Sequence, residues 1–120
     1  MVTTATVTPT LRRQGELLAR FFRGLGDPTR VLILALLLER ERNVSELVEL
    51  LDSPQGRVST HLSCLRWCGY VATRREGRHV YYRVADERVR TLLGLAEDLI
   101  AQHARELATC QVLDAEGARA

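Results

Sequence analysis

The chain contains no lysine; all 17 of its basic residues are arginine, a bias that points to a GC-rich genome before it points to any chemistry. No apolar run approaches the ~20 residues a membrane span needs. Leu32 to Leu38 is apolar for only seven residues and reads as a buried helix. Met1 to Thr10 is rich in threonine, carries Pro9, and lacks the basic and apolar regions of a secretory signal. The expected location is therefore the cytoplasm, with no membrane partner. No glycine-rich phosphate loop, no nucleophile elbow and no paired carboxylates in a plausible cleft are present, so an enzyme has little support. Three cysteines, an odd number, argue against a disulfide framework and leave metal binding or redox chemistry as the live options.

What is present suits one compact domain: 120 residues, 46% hydrophobic and 27% charged. The net charge of +2 conceals an asymmetry. Between Arg57 and Arg83 six arginines face Glu76 alone, while the rest of the chain is net acidic. Clustered arginine is the electrostatic footprint of a polyanion partner.

Met1 to Thr10 reads as a disordered tail. Apolar positions Leu11, Leu17, Leu18, Phe21, Phe22 and Leu25 have helical spacing, which predicts a first helix from Leu11 to Arg23. Asp27 is an N-cap with Pro28 at the first helical position of a central buried helix ending near Arg40 to Arg42. Asn43 caps a short third helix, Val44 to Leu51, with Glu46 as capping-box partner. Asp52-Ser53-Pro54 breaks the chain, and a fourth helix begins near Gln55 and stops at Gly69. The third and fourth helices make a helix-turn-helix whose second member is the reader.

The reader carries Val58, Leu62 and Leu65 on its core face. Gln55, Arg57, Ser59, Thr60, His61 and Ser63 are assigned to its outer face as candidate DNA contacts, their short polar and cationic groups suiting base edges and phosphates. Tyr70 to Arg75 and Arg78 to Val84 are β-prone runs flanking a Glu76-Gly77 turn, which predicts a hairpin wing. Its Arg74, Arg75 and Arg78 are candidate phosphate contacts. A last helix, capped by Asp86 and running from Glu87 to Ala108, carries a stripe of Val89, Leu92, Leu93, Ala96, Leu99, Ile100, His103 and Leu107. With the first helix this stripe makes a two-fold dimer face, and a homodimer matches a palindromic operator. The expected fold is thus mostly α with a β-hairpin wing, a winged helix-turn-helix over residues 11–108, followed by a mobile tail over 109–120 holding Cys110.

Cys64 and Cys68 fall roughly 60–160° round the helix from its core face. Helical neighbours four apart have Cβ atoms roughly 5–6 Å apart, too far for a disulfide, which wants about 3.8 Å. Two sulfurs each about 2.3 Å from one ion span that gap. A third thiolate from Cys110 completes an all-sulfur site, and such sites favour soft ions. Oxidation that pairs Cys110 with Cys64 or Cys68 is the alternative, a redox or sulfide-responsive repressor. His103 and Glu106 have the spacing of a second, harder site, though His103 reads first as an interface residue.

Leu25-Gly26-Asp27-Pro28-Thr29-Arg30, Val58 to Arg66, Gly69-Tyr70-Val71, and Arg75-Glu76-Gly77-Arg78 with Tyr82 resemble the ArsR/SmtB family of winged-helix repressors over about Leu11 to Ile100. The resemblance implies a homodimer that represses metal-resistance or transport genes and leaves its operator when metal binds. The Cys64-Leu65-Arg66-x-Cys68-Gly69 pattern resembles the CmtR-type cadmium and lead sensors, and mercury-sensing relatives fit as well. The effector implied is Cd2+, Pb2+ or Hg2+ on Cys64, Cys68 and Cys110, in a site shared between protomers. Other branches of the family are a poorer match. The third helix has no cysteine, and Arg90 and Leu92 stand where the Asp-x-His of a last-helix zinc site is expected.

Overall fold

The computed structural model describes residues 5–109. They fall into two compact units divided between Asp86 and Glu87. In the first, α1 (Pro9–Arg23), α2 (Pro28–Glu39), β1 (Arg42–Asn43), α3 (Val44–Leu51), α4 (Gln55–Trp67), β2 (Val71–Glu76) and β3 (His79–Val84) follow in order. The second holds α5 (Arg88–Ala108). This is a winged helix-turn-helix, mostly helical with a small antiparallel sheet.

Local chemistry sets most boundaries. Thr8 Oγ1 accepts from the Leu11 N–H at 3.1 Å, and Pro9 occupies the first helical position, so α1 starts two residues before the predicted Leu11. Asp27 Oδ1 caps α2 by accepting from the N–H groups of Thr29 and Arg30 at 2.8 and 3.2 Å. Asn43 and Glu46 form the expected reciprocal capping box on α3, at 2.9 and 3.1 Å. Gly69, at φ 89°, ends α4 in a Schellman arrangement: the Tyr70 N–H donates to the Leu65 carbonyl at 2.9 Å and the Gly69 N–H to that of Arg66 at 3.1 Å. Cys68 is consequently the C-cap residue of the reader helix.

The sheet has the order β1-β3-β2. Sequence reading misses β1, whose two residues are too few to show a period. It is held because Arg42 and Asn43 pair with Tyr82 and Tyr81. Arg42 is buried, its Nε donating to the Leu36 carbonyl at 3.1 Å and its Nη2 paired with Glu39 at 2.8 Å. The wing turn is also shifted. Glu76 pairs with His79, so the two-residue loop is Gly77-Arg78, entered through Gly77 at φ 62°.

Ile33, Leu34 and Leu37 of α2, Leu47 of α3, and Val58, Leu62 and Leu65 of α4 form the core with Tyr70 and Val71. Fully burying one such aliphatic side chain contributes about 1.5–3 kcal/mol. The reader helix is therefore anchored along its whole inner face.

The last helix, α5, begins after Glu87, which takes the N-cap position expected for Asp86 and makes no side-chain cap bond. Its backbone is kinked at His103, φ −130° and ψ 21°. That kink breaks the regular i, i+3 geometry that would set His103 and Glu106 side by side as a metal pair. Leu95, Leu99, Ile100 and Leu107 are exposed on this helix, as are Leu11, Leu17, Leu18 and Phe22 on α1.

Candidate functional site

Val58, Leu62 and Leu65 bury one face of α4, and the 3.6-residue helical period leaves Gln55, Arg57, Thr60, Ser63, Arg66 and Trp67 exposed. Thr60 Oγ1 donates to the Gly56 carbonyl at 2.9 Å. Ser59 is half-buried. Ser63, Arg66 and Trp67 line a shallow recess at the carboxyl end of the helix. Trp67 is 91% exposed. It was not among the sequence-based candidates, although its helical phase, opposite Leu62 and Leu65, is the signal that places it outside.

His61 departs from expectation. Its side chain is only 14% exposed, with Nδ1 3.3 Å from Arg30 Nη1 and Nε2 3.9 Å from Asp27 Oδ1. The imidazole faces the amino end of α2, not the groove side of the reader. Its phase lies one residue from Leu62, at the margin of the core face, and the Asp27 and Arg30 polar groups draw it inward.

The wing separates its three arginines. Arg75 and Arg78 are exposed. Arg74, expected as a phosphate contact, is already engaged: it pairs with Glu76 at 2.7 Å and Glu41 at 3.2 Å and lies 4.9 Å from the centre of the Tyr81 ring. Hydrogen bonds to Glu76 and Glu41 raise the Arg74 pKa further, and the same Arg74 bond holds the Glu76 carboxyl below its ordinary range. Arg74 ties the wing to the chain just after α2. The density of free positive charge inferred from sequence is correspondingly lower there.

Cys64 and Cys68 are both free thiols of intermediate exposure. They occupy the last turn and cap of α4, with Cys68 against the carboxyl end of α1. Cys68 Sγ lies 3.8 Å from the Arg20 carbonyl oxygen. Tyr70 completes the junction: its hydroxyl donates to the Phe21 carbonyl at 2.8 Å and its ring stacks on Phe21 with centroids 4.5 Å apart. Gly24 is required by close approach, because a Cβ there would stand 2.8 Å from Tyr70 Cε2 and 3.2 Å from Cys68 Sγ. Burial raises the Cys68 pKa, the neighbouring Cys64 adds to that effect, and Arg30 opposes it. Burial also pushes the Tyr70 hydroxyl up to about 12.

These thiols suit a soft ion, with two sulfur donors on adjacent turns. Among the described residues no group of three His, Cys, Asp or Glu side chains is close enough to hold a metal. Cys110, the expected third donor, lies outside the described residues. No described helix is long and apolar enough to cross a membrane.

The family described as bacterial regulatory protein, arsR family, matches residues 27–73, from the cap of α2 into β2. A probable mercury resistance operon repressor of Streptomyces lividans is 48% identical over 99 residues, covering 82% of this chain and 79% of that protein. The HTH-type transcriptional regulator CmtR of Mycobacterium tuberculosis is 46% identical over 77 residues, 64% of this chain and 65% of the relative. A homodimeric winged helix-turn-helix DNA-binding domain from Mycobacterium bovis, a possible ArsR-family transcriptional regulator, superposes with a TM-score of 0.74 at 30% identity. The match covers 83% of this chain and 93% of that domain.

Proposed function

The chain belongs to the arsR family of bacterial regulatory proteins, transcriptional regulators and not enzymes, and from that premise we propose that it is a homodimeric repressor released from its operator by a thiophilic heavy-metal ion. The observation that carries this reading is the placement of two half-buried thiols on the last turn and cap of the helix that presents Gln55, Arg57, Thr60 and Ser63 to solvent. Ligand site and DNA surface share one rigid element.

In the metal-free dimer, Gln55, Arg57, Ser59, Thr60 and Ser63 read the major groove, while Arg75 and Arg78 lie along phosphates. The exposed leucines of α1 and α5 are covered by the second copy, which sets the two reader helices on a palindromic site. Cys64 and Cys68 hold the ion with Cys110 as third donor, and the ion is Cd2+, Pb2+ or Hg2+, for which sulfur-only sites are suited. The mercury resistance repressor of S. lividans supports a thiophilic effector. The repressor works in the cytoplasm, where thiols stay reduced.

Anaerobic ultraviolet titration of the reduced protein with each ion, run beside operator release on the same samples, tests this. Thiolate-to-metal bands saturating at one ion per protomer, with loss of operator binding at the same stoichiometry, are expected. Bands without release, or no bands, would sink the reading. Oxidant-driven release would then point to redox sensing.

A further inference from the structure

Side chains alternate across a strand, so the register of the wing sorts its residues onto two faces. Arg74 stands opposite Tyr81 and Glu76 opposite His79, and these four share one face. Arg75 and Val80 lie on the other, the face that carries the buried Val71. On the first face Arg74 spans the whole sheet. Its guanidinium carbon lies 4.9 Å from the centre of the Tyr81 ring of β3. Its Nε donates to both carboxylate oxygens of Glu41, at 3.2 and 3.3 Å, and its Nη1 to Glu76 at 2.7 Å. Glu41 directly precedes β1, whose Asn43 pairs with the same Tyr81 and which runs straight into α3. One side chain of β2 thus crosses β3 and closes on the entry to the helix-turn-helix. A planar fork allows this, since its separate donors meet two carboxylates while its face rests on a ring.

We propose that Arg74 is a positioning residue for DNA binding. Through Glu41 and Tyr81 it fixes the wing against the helix-turn-helix, and Arg75 and Arg78 are thereby offered to phosphates in a preset geometry. The inference rests on the DNA-binding part of the reading above and needs no metal. The strand β1 is two residues long, and β2, at the edge of the sheet, pairs with β3 alone. Backbone pairing therefore leaves the outer wing weakly tied to the helices. The side chains of Arg74 and Glu41 are 44% and 35% exposed, so their ion pair adds little to folding stability. What it supplies is direction. Without it the wing tip is ordered only as DNA binds, and that cost lowers affinity. Glu41 thus aids binding although it carries the same sign of charge as the phosphates.

The test uses the full chain and a DNA duplex that the wild type selects from a random-sequence pool, with affinity read by anisotropy at several salt concentrations. Two accounts of Glu41 predict opposite signs. If it acts only as a charge, Glu41→Ala removes a repulsion and releases Arg74 to the phosphates, so affinity rises. If it holds the wing, affinity should fall by about 3- to 10-fold, the ordering cost of a loosened side chain. Arg74→Ala and the double variant should fall by the same factor, because all three break one linkage. Arg74→Lys keeps the charge, loses the fork and should behave like Arg74→Ala. A second readout needs no DNA: the amide 15N NOE values from Arg75 to Val80 should drop in Glu41→Ala and Arg74→Ala, while those of Leu34 and Leu62 hold. Tighter binding by Glu41→Ala, additive losses in the double variant, or a wing equally rigid in every variant overturns the proposal. A loss confined to Arg74→Ala, with a shallower salt slope, makes Arg74 a phosphate contact and overturns it too. Should the wild type select no duplex, the DNA-binding reading falls and the role of Arg74 with it. Should the wild type select one that every variant binds equally well, the role of Arg74 falls alone.

Discussion

From Gln55 to Thr60 the reader helix turns Gln55, Arg57 and Thr60 to solvent, whereas from Cys64 to Gly69 it is fastened to α1. The fastening consists of the Cys68 contact to the Arg20 carbonyl, the Tyr70 hydroxyl on Phe21 and the space kept by Gly24. Between the two ends runs one continuous core face, Val58, Leu62 and Leu65. A displacement at the fastened end is therefore delivered at the open end, since close-packed interiors yield little. The two ends differ in what they can tolerate: the open end can lose a side chain and stay folded, and the fastened end cannot gain even a methyl at Gly24.

The largest effect comes from breaking what joins the ends. Leu62→Ala should cost about 2–5 kcal/mol of folding stability, read by urea denaturation, because it opens a cavity under the middle of α4. Next is pH at the fastened end. Cys68 is raised above the ordinary thiol value by burial, so it keeps its proton at neutral pH and the ion must displace it. With the proposed three thiol donors, apparent metal affinity should climb with pH by up to about a thousandfold per unit where three protons leave, and level off only above the raised Cys68 pKa. For folding the sign is reversed. A raised pKa in the folded state contributes stability below the unfolded thiol pKa, and that contribution is lost as pH rises through the folded value.

At the open end, Arg57→Ala should weaken operator binding by about 1–3 kcal/mol, measured by anisotropy, with metal stoichiometry unchanged. An altered stoichiometry would mean that the ends are not separable in function. At the fastened end Tyr70→Phe deletes one hydrogen bond and should lower stability by about 0.5–1.5 kcal/mol, read in the same urea experiment. The smallest effect separates the wing arginines. Arg78→Ala should reduce the salt dependence of operator binding by about one unit of slope. Arg74→Ala should leave the slope nearly unchanged, because Glu41 and Glu76 already neutralise it.

Elements whose cause is local could be read from the sequence. The Asn43 and Glu46 capping box, Asp27 before Pro28, and the Gly69 stop each act within a few residues. The thiol spacing was readable for the same reason. What sequence could not show depends on partners far along the chain. The strand β1 exists because of β3, His61 faces inward because of Asp27 and Arg30, and Arg74 is neutralised by Glu41, 33 residues away. Arg30 illustrates the same limit: its motif was recognisable, but its reach to Arg23, Gly24 and His61 depends on how α1, α2 and α4 meet.

Trp67 has one further consequence. It is the protein's only tryptophan, it is almost wholly exposed, and it stands in the chain immediately before one thiol and three residues after the other. Its emission should be that of an indole in water, and a heavy ion bound by the thiols should quench it. On the proposed reading, Trp67 is a built-in optical gauge of thiol occupancy, readable without a dye, a label or a mutation.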